Sequence, residues 1–337
     1  MLRARFSPLR IAVALSFATA LLSLACQVPV FRYALERWEP ASYLVSIVPA
    51  SGGLSAVEQK LVEQLRTTPE LPVNLDVQVE SPAKEDQARI ALRYPHKLRE
   101  AEAEPIWQGP LTAANVQLLL DSPVRLELRK RLLTGQTAVW LFVESGNAPK
   151  DEAAIKALTQ ALEQAQAAVK LPDGVVGRNE SGKSADPVNT LQSDLPLKVE
   201  FSLLRLRRDD PQEAALLAML LHMEPDLKDF AGEPMAFPVF GRGRMLEPLI
   251  GAGIHDGNVL EHAAYLCGAC SCEVKDQNPG IDLLVAADWS PVDTTPKLEI
   301  VRITPSEVEV PPAGKPPVGV ITAGLALLGL GAWWFRR

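Results

Sequence analysis

The sequence predicts an α/β protein: a mixed sheet with flanking helices, an N-terminal β-α-β region ahead of it and a transmembrane helix at the C-terminus. Three observations predict this. Short apolar or alternating runs take turns with helical patterns through the middle of the chain. Both ends are charge-free apolar stretches flanked by arginine. A proline-rich segment separates the second of these stretches from the rest.

Composition sets the outer limits. Hydrophobic residues are 47% and charged residues 22% of the 337, which fits neither wholesale disorder nor a polytopic membrane protein. With the five terminal arginines set aside, 29 Lys and Arg face 41 Asp and Glu, a net charge of −12. An acidic body of that kind repels phosphate backbones, so no nucleic-acid partner is expected.

Arg3, Arg5 and Arg10 precede an uncharged run from Ile11 to Ala25, the pattern of an export signal over residues 1–25. Small Ser23 and Ala25 suit signal peptidase, and with Cys26 the stretch also resembles the bacterial lipoprotein box. That resemblance is partial, because Ser23 and Leu24 stand where the box has Leu and a small residue. Cleavage, lipidation of Cys26 and an uncut anchor all stay open, the last because the uncharged run continues through Gln27 to Phe31. At the other end, Val318 to Phe335 is long enough as a helix, about 27 Å, to span a bilayer. Trp333 and Trp334 fall at an interfacial belt, and Arg336 and Arg337 favour the cytoplasmic side. The N-terminal arginines favour the same side. Both ends therefore place Arg32 to Pro317 outside the cytoplasm, as the periplasmic part of an inner-membrane protein. The tail resembles bacterial sorting tails but lacks their Pro-Glu-Pro signature.

Within the exported part, residues 26–134 form an N-terminal α/β region, 135–305 a second α/β domain, 306–317 a proline-rich linker and 318–335 the membrane helix. Tyr43 to Val48 reads as a buried strand, Ser55 with Glu58 as a capping box opening a helix to about Arg66, and Val73 to Val79 as a strand. Arg89 to Tyr94 is a further strand, Glu100 to Pro110 a loop, and Val124 to Leu133 a helix stopped by Gly135. Then come a strand at Ala138 to Val143, a turn at Ser145 to Lys150 and a helix from Asp151 to Val169. A loop spans Pro172 to Asp194, followed by a strand at Leu197 to Leu206 and a helix opened by Asp210 and Pro211 that runs to about Met223. Ala236 to Phe240 is a strand, and a last helix follows Gly257 and Asn258 to Leu266.

The strand Trp140-Leu141-Phe142-Val143 running into a helix, the Asp-x-Pro-helix cadence near Leu204 to Met219, and Pro234 followed by Phe240, Gly243 and Gly251 resemble the thioredoxin fold. The resemblance covers about Leu133 to Leu266 and implies a thioredoxin-like mixed sheet. It departs in chemistry: where the family has its Cys-x-x-Cys, this chain has Ser145-Gly146-Asn147-Ala148. The resemblance then implies a degenerate site used for binding or assembly. Pro29 to Trp38 and Gly241-Arg242-Gly243-Arg244 also resemble segments of an uncharacterised bacterial envelope family.

Cys267, Cys270 and Cys272 bring three thiols within six residues, with His262 upstream on the same predicted helix. Three Cys and one His could hold Zn²⁺, and thiolates alone Cu(I), whereas an exported domain favours a disulfide plus one further thiol. Thiol exchange is the third alternative. Arg242 and Arg244, set between glycines, are candidates for an anion or partner contact. Gly177 to Ser184 satisfies the Walker A pattern, but only Val175-Val176 precedes it and Pro187 would interrupt a following helix, so no nucleotide site is assigned. No serine elbow or metalloprotease motif is present, and the catalytic residues of any enzyme stay unknown. The expectation is a non-enzymatic, membrane-tethered envelope protein that binds or scaffolds another envelope protein, without a cofactor. The alternative is a thiol or metal handler using the cysteine cluster.

Overall fold

The computed structural model describes residues 26–68, 71–95, 104–183, 187–270 and 273–292. The export signal, the proline-rich linker, the C-terminal apolar run and Cys272 lie outside the described residues. Among the described residues, no helix is long and apolar enough to cross a membrane.

The protein is a mixed α/β structure with two mixed sheets and flanking helices. A short helix α1 (Val30–Arg37) opens it. The first sheet holds β1 (Tyr43–Val48), β2 (Leu75–Val79), β3 (Arg89–Arg93) and β4 (Trp107–Pro110) in the order β2-β1-β3-β4. β2 runs parallel to β1, β3 antiparallel to β1, and β4 antiparallel to β3. The crossover between β1 and β2 is α2 (Ala56–Thr67), opened by the capping box: Ser55 Oγ accepts from Glu58 N, and the Glu58 carboxylate accepts from Ser55 N at 2.7 Å. Helices α3 (Ala113–Leu120) and α4 (Pro123–Leu133) lead out of this sheet.

The second sheet holds β5 (Ala138–Val143), β6 (Phe201–Leu206), β7 (Met235–Phe240), β8 (Arg244–Met245) and β10 (Ile281–Asp282) in the order β10-β8-β7-β5-β6. β9 (Leu249–Ile250) adds to β7. β6 is parallel to β5 and joined to it through α5 (Ala148–Ala168); β7 is antiparallel to β5, and β8 to β7. Both sheets thus place their strands in the same sequence and sense: a parallel second strand, a central first strand, then two antiparallel ones. α6 (Ala214–Leu221) and α7 (Asp256–Cys267) complete the second half.

β5 is buried at all six positions because helices cover both of its faces. Val139, Leu141 and Val143 pack with Leu128 and Leu132 of α4 and Leu216 and Met219 of α6; Trp140 and Phe142 pack with Leu158 of α5 and Val259 and Ala263 of α7. The first of these clusters continues through Tyr43, Val45 and Ile47 of β1 and Ile90 and Leu92 of β3, so one apolar core joins both sheets.

Several boundaries differ from expectation for local reasons. The stretch expected as loop from Glu100 to Pro110 ends in β4, and residues 96–103 lie outside the described set. α5 starts at Ala148 rather than Asp151, because Asn147 caps Lys150 N and Pro149 fits the first turn. The strand expected from Leu197 begins at Phe201; before it, Lys198 O accepts from Thr137 Oγ1 instead of a ladder partner. The helix expected to run to Met223 ends at Leu221. Residues Val28 to Phe31, the expected extension of the apolar N-terminal run, are core residues, since α1 is buried everywhere except Arg37.

Candidate functional site

The turn after β5, from Ser145 to Lys150, is held closed by Asp151, which is 2% exposed. Its Oδ1 accepts from Ser145 N at 2.8 Å and Ser145 Oγ at 2.6 Å, and its Oδ2 from Gly146 N at 3.1 Å. Asn147 N donates back to Ser145 Oγ, and Gly146 sits at φ +86°, where a side chain would be strained. At the same end, Lys150 Nζ bonds Glu233 and Gly232 O, and Arg208 bonds Glu144 O and Glu233 O. The turn contains no nucleophilic sulfur, and these backbone donors are already engaged.

The cysteine cluster begins at the end of α7. Cys267 and Cys270 are each 1% exposed, and burial pushes the Cys267 thiol up to about 12. The backbone beyond α7 is zipped to the N-terminal segment: Cys270 N donates to Val28 O and Val30 N to Gly268 O, both at 3.0 Å. His262 lies upstream on α7. Its Nδ1 donates to Asn258 O at 3.0 Å, and its ring meets Trp140 edge-on at 5.9 Å. Among the described residues, no group of three His, Cys, Asp or Glu side chains could hold a metal ion. The thiol pKa has a direct consequence for labelling. At pH 8, Cys267 is expected to alkylate about 10³-fold more slowly in the folded chain than in urea, as its thiolate fraction requires. Equal rates, measured by mass spectrometry of the modified peptide, would contradict its burial.

Arg242 and Arg244, the candidates for an anion or partner contact, are buried, at 4% and 7% exposed. Arg242 donates to Leu35 O, Glu36 O and Glu39, capping the C-terminal carbonyls of α1. Arg244 donates to Pro279 O, Asn278 O and Asp282, and lies over the Trp38 ring. Both arginines act as internal clamps. Cys26 is also buried, in a cluster with Val28, Phe31, Trp38 and Leu266, and its Sγ donates to Val188 O at 3.8 Å. The Walker-like stretch holds a 3₁₀ segment, Arg178–Lys183, in place of the α-helix that a phosphate loop opens; Ser184 lies outside the described residues.

A surface cleft of about 580 Å³ lies between α3, α4 and the turn before α6, lined by Asn115, Leu118, Ser122, Leu126, Pro211 and Gln212. Behind Ser122 stands Glu213, 1% exposed, whose carboxylate accepts from Ser122 Oγ at 2.5 Å and Val124 N at 2.8 Å. Ser122 caps α4, which opens on Pro123, one residue before the start expected at Val124. Its carboxylate partner, 91 residues away, carried no sequence signal. Burial raises the Glu213 carboxyl above its ordinary value. The folded state then binds the proton more tightly than the unfolded chain, so this group's contribution to stability increases as pH falls toward the raised value. Relative to Glu213→Gln, the parent protein is expected to gain stability in urea unfolding as the pH is lowered from 7 toward the ordinary carboxyl range. Parallel pH profiles would contradict this.

No family model matches the chain, and no curated protein or solved structure matches it.

Proposed function

We propose that the chain is an extracytoplasmic binding or scaffold protein, tethered to the inner membrane and built on a thioredoxin-like second half without redox chemistry. The order β8-β7-β5-β6, with β6 parallel and β7 antiparallel to β5, agrees with that fold. The first sheet repeats the pattern, which extends the reading to two such units in tandem. The observation that carries the function is the turn after β5, where Ser145 and Gly146 are bonded to buried Asp151; on this reading they stand where the family has its dithiol. A unit that keeps the frame and closes the reactive turn is suited to holding a partner rather than exchanging disulfides.

The membrane tether, the export signal and the periplasmic side are part of the proposal and derive from the arginine-flanked apolar ends. The thiol-exchange form of the rival reading, a thiol or metal handler, is weakened by the burial of Cys267, which pushes its thiol up. Capture of the full chain from membranes, tether intact, is the test. A specific envelope protein retained at high salt, with no catalysis of disulfide exchange, supports the scaffold reading. Catalysed exchange that disappears in Cys267→Ser, or stoichiometric zinc or copper in the purified protein, overturns it in favour of the rival. A reporter fused near residue 300 and active only in the cytosol would sink the topology.

A further inference from the structure

Among the described residues, the outer edge of the second sheet is β6, six residues long, whereas the opposite edge strand β10 has only two. Alternate residues of a strand in a parallel ladder present their N–H and C=O to opposite sides. Glu200 O accepts from Thr137 N and Leu206 O from Glu144 N, so the even-numbered residues face β5. Phe201, Leu203 and Arg205 therefore present their backbone groups outward, where another strand could pair.

Two of those outward groups are occupied by side chains arriving from helices on opposite faces of the sheet. Gln166 of α5 accepts from Phe201 N through its Oε1 at 3.1 Å, and Arg131 of α4 donates to Leu203 O at 3.1 Å. Arg131 is steadied by Glu127 at 2.8 Å. Further along, Arg205 is paired with Glu144 and Glu152, placing charge across the same edge. Long edge strands are templates for pairing with a second chain, and proteins block them with charges or covering groups. We infer that Gln166 and Arg131 are edge guards that keep β6 from pairing with β6 of a second copy of this chain.

The test uses the full chain in detergent. Gln166→Ala changes an exposed helical position, so the fold should persist while the Phe201 amide loses its acceptor. Its hydrogen exchange is expected to accelerate about five- to tenfold, the worth of one such bond; an unchanged rate overturns the assignment. In Arg131→Ala/Gln166→Ala, the mass by analytical ultracentrifugation is expected to shift to a higher oligomer than that of the parent. The same mass for both overturns the inference. Adding Leu203→Pro removes an outward N–H that an edge strand can spare, and this should restore the parent's mass. Association that survives the proline runs through another surface and likewise overturns it.

Discussion

Glu36→Ala is expected to destabilise the protein by about 3–5 kcal/mol, the loss that follows from breaking a buried ion pair on one side. Glu36 and Arg32 lie one turn apart on α1, are both 0% exposed, and meet at 2.8 Å. The carboxylate also accepts from Gln192 N at 2.8 Å, Ser193 N at 3.0 Å and Ser193 Oγ at 2.9 Å. Arg32 in turn donates to Ser193 Oγ and to Leu195 O. Burial lowers the Arg32 pKa against the pull of Glu36, so without that carboxylate a desolvated guanidinium would face no counter-charge. The loop from Pro187 to Leu195 would lose its acceptor at the same time. For a chain of this size the loss corresponds to a fall in melting temperature of roughly 4–7 °C. Glu36→Gln keeps an acceptor oxygen and is expected to lose less. A melting temperature within a degree of the parent for Glu36→Ala would sink the claim.

Arg125→Met is the second large effect, at about 3–6 kcal/mol, because methionine fills the stem's volume but satisfies none of the carbonyls that the guanidinium serves. Arg125 is 1% exposed and donates to Ser122 Oγ at 3.1 Å, Leu119 O at 3.0 Å, Leu284 O at 3.2 Å and Leu118 O. Leu118 and Leu119 stand in the last turn of α3, whose carbonyls lack partners within the helix. One side chain thus closes α3, joins it to α4 and holds the strand-like segment at Leu284. Burial brings this guanidinium down to about 10, and Asp121 and Glu213 offset part of the cost. Arg125→Lys keeps the charge without the planar fork and should recover little of the loss. Urea unfolding of both variants checks this, and a midpoint unchanged in Arg125→Met would contradict it.

What could be read in advance follows one physical division. β5 was legible because a wholly apolar run needs cover on both faces, and α2 because its Ser55 and Glu58 announce a capping box locally. β4, with Trp107, Gln108, Gly109 and Pro110, has neither alternation nor β-branched residues, and only its pairing with β3 makes it a strand. α1 looked like the end of an apolar N-terminal run, and its charges Arg32 and Glu36 find each other and Ser193 only once the chain has folded. Arg242 and Arg244, set between glycines, read in the sequence as candidates for an anion or partner contact. The positive φ of Gly241, packed against Ala34, instead turns the segment into α1.

Taken alone, the sequence determined the α/β class, the main strands of the second sheet and the absence of a dithiol after β5, since periodicity, caps and residue identity are local properties. Tertiary structure alone decided that both sheets share one strand order, that Cys26, Cys267, Arg242 and Arg244 are interior, and that Asp151 seals the turn at Ser145. Burial and long-range pairing depend on which distant segments the shared core brings together, and no window along the chain contains that information.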